Sequence, residues 1–270
     1  MQPSISLYRL TSLRAMPNEP LQTTDDETSQ SLLLGGRIRL LQPKVGYRAG
    51  MDAALLAAAV QGRPGERLLE AGCGAGAALL QAAFRAPGAS LVGVERDPAV
   101  LALAAQNIGL NGLEASLQAV AGDVAAGFKA LGLPAFDAAF CNPPFFDDPT
   151  GLRGPHPAKR GAWLADDGLQ AWTKFLLKAV REGGRIIVIH RADRLADILA
   201  MLGTGAGSFS IRPIQPFADQ PAKRVLVQAI KTGKAPLMLL PSLVMHARND
   251  SKHTPEAEAI LRGEASLDWS

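Results

Sequence analysis

The residues most clearly suited to a chemical role are Asn142, Pro143, Pro144 and Phe145, which follow the apolar segment FDAAFC. Neither proline can donate a backbone hydrogen bond to a neighbouring strand, and each favours extended geometry in the residue before it. A β-strand therefore has to stop here, in a rigid turn that carries one amide and one aromatic ring. The turn is either a plain strand terminator or a clamp that holds a flat, polar molecule.

A glycine-rich loop precedes this turn in the chain, in the segment LLEAGCGAG. Gly72, Gly74 and Gly76 allow the backbone to turn tightly between a strand and a helix and to approach a ligand closely. Their spacing differs from the G-x-G-x-x-G pattern of dinucleotide-binding folds. Taken alone, the loop is equally compatible with an ordinary strand–helix turn.

Three acidic residues stand at or near the ends of predicted strands: Glu70, Glu95 and Asp123. Glu95 ends the strand after the glycine loop, where doubly wound folds place an acid that binds ribose hydroxyl groups. Each residue also has a structural interpretation, since Glu70 could order the loop, Glu95 could face a helix dipole and Asp123 could cap a helix. Together, at one edge of a sheet, they indicate a nucleoside cofactor.

Short apolar strands alternate with helices after residue 52, which predicts a mostly parallel sheet covered on both faces. The segments FSIRPIQPF and RVLVQAI end this pattern without a helix between them. We therefore predict an α/β, Rossmann-like, doubly wound fold whose mostly parallel seven-stranded sheet ends in a C-terminal antiparallel hairpin.

Helix boundaries are predicted from capping and glycine signals. Asp52 is expected to cap the first helix, which Gly62 ends, and Asp97 is expected to cap the helix that begins at Pro98. Gly183 and Gly184 are expected to close the helix LQAWTKFLLKAVRE.

The domain organisation follows from composition. Residues 1–30 are polar and without periodicity, so they are predicted to be a disordered tail, although Met1 to Arg14 is weakly similar to a mitochondrial transit peptide. Residues 31–265 are predicted to form a single domain, with an entry segment and helix over 31–62 and the Rossmann-like core over 63–265.

The composition limits the cellular location and the kinds of site that can be expected. The chain has two cysteines, a net charge of +3 and no long apolar run. Cys73 and Cys141 do not make a disulfide framework and are expected to be free thiols, so a reducing, cytoplasmic location is predicted. No apolar run reaches the roughly 18 residues of a membrane span. The four histidines lack metal-ligand spacing, so no metal site is expected.

The segments LLEAGCGAG, VGVERD, AGDV and FCNPPFF, in this order, resemble the class I S-adenosylmethionine-dependent methyltransferases. More narrowly, GGRIRLLQPKVGYRAGMDAALLA and the C-terminal segment from Lys223 are similar to the adenine-N6 methyltransferases that modify valine tRNA. The resemblance covers roughly residues 33 to 262. It implies S-adenosyl-L-methionine as cofactor, with these binding residues: Tyr47, Glu70, Gly72, Gly74, Gly76, Glu95, Asp123 and Asn142.

The resemblance also implies catalytic roles for Asn142, Pro143, Pro144 and Phe145. The Asn142 side-chain carbonyl and the Pro143 main-chain carbonyl would accept the two hydrogens of an adenine amine, and Phe145 would stack on the base. The implied partner is tRNA. Its phosphates would meet basic residues, any one of which could equally be solvated surface: Lys44, Arg48, Lys159, Arg160, Lys223 and Arg224.

Departures from the family pattern concern the substrate. The clamp ends in Phe145 and Phe146 where some relatives have tyrosine, so a hydroxyl contact is absent, and His253 stands where an aromatic hydroxyl is expected. The alternatives are protein glutamine methylation, ribosomal guanine methylation and small-molecule methylation. Enzymes that methylate protein glutamine usually carry a helical domain before the glycine loop, and ribosomal guanine methyltransferases often carry a duplicated domain; neither is evident here. Small-molecule O-methylation usually needs a base or a metal near the acceptor oxygen, and no such group is evident. A non-catalytic binding module is the remaining alternative, against which Asn142 and Glu95 argue.

Overall fold

The computed structural model describes residues 28–44, 50–144, 168–248 and 252–270. Predictions made for Tyr47, Arg48, Phe145, Lys159 and Arg160 lie outside the described residues, as does most of the predicted tail. The division into a tail and one domain stays a prediction.

The described chain begins with an antiparallel hairpin that the sequence patterns did not predict. Strand β1 (Thr28–Leu33) pairs along its whole length with β2 (Ile38–Pro43). Helix α1 (Met51–Ala59) follows, and every residue from Ala53 to Ala59 is buried. An entry segment this apolar has to be covered on all sides, so it packs as an internal element of the fold.

The predicted boundaries of α1 are wrong at both ends. Gly50 is the N-cap and provides no side-chain hydrogen bond, whereas the Asp52 carboxylate accepts a hydrogen bond from Arg224 Nε at 2.9 Å. The helix ends at Ala59, before Gly62. A partner far away in sequence has thus taken the carboxylate that local pattern assigned to the cap.

The main sheet confirms the predicted fold class. Strands β3, β4, β6 and β7 lie at its centre, with β5 at one edge and the antiparallel β8–β9 pair towards the other. The order is β8-β9-β7-β6-β3-β4-β5. The bounds are Arg67–Ala71 (β3), Ser90–Glu95 (β4), Leu117–Ala121 (β5), Phe136–Cys141 (β6), Val180–Arg191 (β7), Ala206–Gln215 (β8) and Arg224–Lys231 (β9).

Two very short strands extend this sheet beyond the seven that were predicted. Strands β10 (Met238–Leu239) and β11 (Leu243–Val244) both pair in parallel with β8. They bring the described sheet to nine strands. Two-residue strands leave no periodic pattern in a sequence, so they could not have been predicted.

The described residues form five further α-helices around the sheet: α2 (Ala77–Arg85), α3 (Pro98–Leu110), α4 (Gly168–Ala179), α5 (Leu195–Leu202) and α6 (Pro255–Leu261). Side chains alternate between two buried clusters, so that Ile187 belongs to the cluster with α1 and α2, and Ile186 to the cluster with α4 and α5. The Asp97 cap of α3 is confirmed, since its carboxylate accepts from the Ala99 and Val100 amides. No helix among the described residues is long and apolar enough to cross a membrane.

The predicted end of α4 is wrong. The helix ends at Ala179, and Gly183 and Gly184 lie inside β7. At Gly184 a Cβ atom would lie 2.8 Å from the Arg181 carbonyl oxygen, and the β6–β7 pairing shifts register between Phe136 and Ala138. The glycines therefore serve an irregular, tightly packed part of a strand rather than a helix stop.

Candidate active site

The strand ends that carry the predicted site residues lie at one edge of the sheet. Because β3, β4, β5 and β6 are parallel, their carboxyl ends point the same way. Ala71 of β3 pairs with Val94 on one side and with Cys141 on the other. Gly72 follows β3 and Asn142 follows β6, so these two residues begin neighbouring loops. Paired strands lie about 4.8 Å apart, and the loops therefore begin at about that separation.

The glycine loop adopts a backbone that requires glycine. Gly72, Gly74 and Gly76 have φ values of 65°, 56° and 92°. A Cβ atom on Gly72 would lie 2.3 Å from Cη2 of Trp172, so this glycine is covered by α4. A Cβ atom on Gly74 would have no described atom within 4 Å, so this part of the loop faces open space that a ligand can enter.

Glu95 connects the loop to the following helix. Its Oε2 accepts a hydrogen bond from the Gly74 amide at 3.0 Å, and its Oε1 accepts from the amides of Arg96 and Asp97, both at 2.9 Å. The structural interpretation of Glu95 is thus present in the fold. A carboxylate offers about four acceptor positions, so a further donor can still be bound.

Glu70 is an acid buried at the same edge, with 3% of its surface exposed. Burial raises the pKa of Glu70 well above its ordinary value, and the nearby negative charge of Glu95 raises it further. Oε2 of Glu70 has no hydrogen-bond partner among the described residues. A buried carboxyl oxygen in this state is stabilised by a donor, and a positively charged one is the strongest.

Asp123 lies in the turn after β5. Its Oδ1 accepts a hydrogen bond from the Ala125 amide at 2.9 Å. Asp123 thus closes a turn and does not cap a helix, since the next helical turn begins at Phe128 with Gly127 as its N-cap. The preceding Gly122 donates its amide to the Glu95 carbonyl at 3.0 Å. This bond holds the β4 and β5 ends together and places Asp123 near Glu95.

The Asn-Pro-Pro turn emerges from the most buried strand of this group. Every residue of β6 except Asp137 is buried. Asn142 is partly buried, Pro143 is buried and Pro144 is exposed. Asn142 therefore follows directly on the buried strand and is less buried than that strand, although its Oδ1 atom is buried.

Both cysteines next to the site are buried free thiols. Burial raises the pKa of Cys73 and of Cys141 above the ordinary thiol range. Thiolates are therefore scarce at neutral pH, and neither residue suits a nucleophilic role.

Two residues that support the site were not predicted from the sequence. Buried Asn107 of α3 bonds through its side chain to the Leu41 amide at 2.8 Å, and to the carbonyls of Leu41 and Ala75, both at 2.9 Å. It thereby joins the N-terminal hairpin to the glycine loop. Trp172 covers Gly72. The sequence shows only an asparagine in an alanine-rich helix and a tryptophan in another helix. Neither residue type indicates which distant residue it will contact.

The predicted basic residues are placed differently from one another. Lys44 is exposed just after β2, and Lys223 is exposed at the start of β9. Arg224 forms an ion pair with Asp52. Because β9 is antiparallel to β7, its beginning lies at the carboxyl edge together with the other site residues.

Comparisons with known proteins agree with this fold. The chain is a methyltransferase enzyme with the Rossmann-like fold of S-adenosylmethionine-dependent methyltransferases, and S-adenosylmethionine is its cofactor. A family model described as the methyltransferase small domain matches residues 47–151, which include the glycine loop and the Asn-Pro-Pro turn. No curated protein matches the chain.

Solved structures give the same class. A predicted O-methyltransferase from Agrobacterium tumefaciens is 28% identical, with a TM-score of 0.66 over 80% of this chain and 98% of that one. A SAM-dependent O-methyltransferase from Thermotoga maritima is 17% identical, with a TM-score of 0.50 over 72% of this chain and 69% of that one. The second likeness is one of fold alone.

Proposed function

We propose that this enzyme transfers a methyl group to an exocyclic amine, adenine N6, in tRNA. The observation that carries the proposal is the Asn-Pro-Pro turn at the carboxyl end of β6, next to the glycine loop in strand register. This juxtaposition sets an amide acceptor beside the cofactor-binding edge.

The chemistry of the turn suits a planar nitrogen. An exocyclic amine on an aromatic ring is a poor nucleophile because its lone pair is delocalised into the ring. Two acceptors that hold its hydrogens, the Asn142 side-chain carbonyl and the Pro143 main-chain carbonyl, localise that pair on the nitrogen. Phe145 would stack on the base. The bound cofactor supplies an electrophilic methyl group on a sulfonium.

The enzyme then contributes alignment and fixed dipoles, and no general base is required. The methylated nitrogen carries a positive charge and is acidic enough to lose a proton to water. Three described acids lie at this edge. Glu95 holds three backbone amides, Asp123 caps a turn, and the buried Glu70 carboxyl is assigned below to the cofactor. O-methylation, by contrast, usually needs a base or a metal at the acceptor oxygen.

The cofactor would be held by residues of the first three parallel strand ends. We assign the buried Glu70 carboxyl to the amino-acid end of the cofactor, because its Oε2 needs a donor. The open face of Gly74 accommodates the close approach, Glu95 binds the ribose hydroxyls and Asp123 lies near the base. Tyr47, Gly72 and Gly76 complete the proposed set.

Replacing Glu95 with alanine should weaken S-adenosylmethionine binding at least tenfold, about 1.4 kcal/mol. The change removes the proposed ribose contact and also the acceptor that orders the Gly74 amide. Calorimetric titration of the purified protein measures it. The matched control is Asp97→Ala, which removes the cap of the same helix and leaves Glu95 intact. Equal binding by wild type and Glu95→Ala removes Glu95 from the site, and equal weakening by both variants assigns the effect to the start of α3.

A tRNA substrate should be held partly through phosphate contacts at the carboxyl edge. Lys223 is fixed there because its amide donates to the Ile214 carbonyl and its carbonyl accepts from the Ala192 amide. His190 nearby adds no charge at neutral pH, since burial lowers its pKa to about 4. Lys44, Arg48, Lys159, Arg160 and Arg224 remain proposed contacts.

Lys223→Ala should reduce the slope of log affinity for tRNA against log salt by about 0.7–0.9, because one fewer counterion is released. Fluorescence anisotropy over a salt series gives this slope. Lys178→Ala is the matched control, since Lys178 is equally exposed but lies at the end of α4, next to the opposite edge of the sheet. An unchanged slope for Lys223→Ala means that the RNA backbone passes elsewhere.

The function itself is tested by mass spectrometry of nucleosides. Unmodified tRNA is incubated with the enzyme and isotope-labelled cofactor, digested and analysed. Labelled N6-methyladenosine supports the proposal. Label in guanosine instead supports the guanine alternative. Label that appears only in parallel incubations, in the glutamine side chain of a protein substrate or in a small hydroxylated acceptor, supports the corresponding alternative.

A further inference from the structure

Four side chains at the carboxyl edge form a continuous column that the proposed mechanism does not use. The Arg248 guanidinium carbon lies 4.7 Å from the Phe217 ring centroid. The Phe217 and His246 centroids are 5.5 Å apart, and the His246 and His253 rings are stacked with centroids 5.2 Å apart and planes at 26°. We call these four residues the ring column.

The ring column lies at the same edge as the proposed active site. Strand β8 is antiparallel to β9, which is antiparallel to β7, so β8 runs in the direction of β6 and β7. Phe217 follows the end of β8, and His246 follows β11, which is parallel to β8. Three strand spacings of about 4.8 Å separate β6 from β8, which is roughly 14 Å and the length of a few nucleotides.

Two hydrogen bonds and one exposed ion pair order the column. Arg248 Nη2 donates to both carboxylate oxygens of Asp219, at 2.8 and 2.7 Å. His246 Nδ1 lies 2.8 Å from the Lys252 carbonyl oxygen, and the Thr254 hydroxyl donates to the Val244 carbonyl at 2.7 Å. Flat groups fixed in this way lose little conformational entropy on binding.

The arginines at this end of the edge carry little uncompensated charge, so phosphate contact there falls mainly to the exposed Lys223. Four arginines are each paired with an aspartate: Arg191–Asp193, Arg194–Asp197, Arg224–Asp52 and Arg248–Asp219. Their positive charge is therefore largely compensated. What remains distinctive is a set of three partly exposed aromatic residues, Phe217, His246 and His253. A nucleobase is a flat ligand that can extend such a set by stacking, irrespective of its sequence.

We infer that the ring column is a stacking site for an unpaired nucleobase of the RNA substrate, a few nucleotides from the base held at Asn142. The inference rests on the proposed function and extends it, because it names the part of the RNA that is bound and the residues that bind it. It also accounts for His253: a second imidazole extends the stack without the hydroxyl expected at that position.

The test measures the affinity of a fluorescein-labelled, unmodified tRNA anticodon stem–loop by anisotropy, together with cofactor affinity by calorimetry. His253→Ala should weaken RNA binding about tenfold and leave cofactor binding unchanged. His253→Phe should restore most of the affinity, because it keeps an aromatic face without imidazole hydrogen bonds or charge. A fully paired duplex should compete poorly with wild type, because its bases are not available for stacking.

Two controls separate stacking from simple anchoring of the C-terminal segment. Thr254→Ala removes the bond to Val244 and the cap of α6, but no ring. Arg262→Ala removes an exposed arginine–carboxylate pair, with Glu264, comparable to Arg248–Asp219 but not in the column. Weakening of RNA binding by Thr254→Ala as great as that by His253→Ala, or failure of His253→Phe to restore it, overturns the inference.

The two proposals fail in different ways. If wild type methylates and binds the stem–loop but His253→Ala binds it equally well, only the ring column is wrong. If wild type neither binds nor methylates the RNA, the proposed function is wrong and the column falls with it.

Discussion

Asn142→Ala is expected to lower the single-turnover rate of methyl transfer about a hundredfold or more while cofactor affinity hardly changes. If the Asn142 carbonyl grips the target amine, the variant loses a fixed polar contact made in the transition state, and losses of this kind are typically that large. Asn142 begins the loop beside Gly72 and is partly buried at the carboxyl edge of the sheet. It is therefore placed to face an incoming acceptor.

The measurement is methylation of tRNA by folded, cofactor-saturated enzyme, with circular dichroism and calorimetry to confirm the fold and the bound cofactor. Pro144→Ala is the matched control, because Pro144 is in the same turn but exposed, and its change tests the rigidity of the turn alone. If the turn merely ends a strand, both variants lose stability or nothing, and the folded protein keeps its full rate. A wild-type rate for Asn142→Ala would rule out the clamp.

The sheet could be predicted from sequence because its strands obey a local rule. A parallel strand buried on both faces needs a nearly continuous apolar run, and β6 (FDAAFC) and β7 (RIIVIH) have such runs. The cap of α3 was predictable for a similar reason. Asp97 and Pro98 satisfy the first turn of the helix without any distant partner.

The errors arise where a residue's partner is distant in sequence. Asp52 pairs with Arg224, 172 positions away, and so does not cap α1. The pair Gly183-Gly184 is typical of a helix end and also of an irregular strand that packs closely, so the sequence alone does not distinguish the two. The β1–β2 hairpin was missed because its first strand, TSQSLL, has no buried residue and hence no apolar pattern.

The candidate site divides in the same way. Residues proposed to touch a ligand, such as Glu95 and Asn142, could be proposed from the sequence because their chemistry and their place at a strand end are both visible there. Residues that hold those in place were not. Asn107 and Trp172 act through contacts with the hairpin and the glycine loop, and only the folded chain shows these contacts.

The second large effect is expected at Gly72, where alanine should destabilise the protein by about 3 kcal/mol. Two terms add at this position. A positive φ of 65° costs an alanine about 1–2 kcal/mol, and overpacking of a filled site costs typically 1–3 kcal/mol. The new Cβ atom would lie 2.3 Å from the Trp172 ring, so the ring or the loop has to move. Urea unfolding followed by circular dichroism measures the loss.

Gly74→Ala is the matched control, since it has a similar φ of 56° but no described atom near the added methyl group. Only the backbone term applies, so this variant should lose about 1–2 kcal/mol of stability. Its cofactor binding should nevertheless fall sharply, because the methyl group enters the space assigned to the ligand. In the double variant Gly72→Ala/Trp172→Leu the overlap is relieved. Its loss of stability should therefore be smaller than the sum of the losses of the two single variants. Equal losses for Gly72→Ala and Gly74→Ala, with strict additivity in the double variant, would show that the Trp172 contact does not fix the loop.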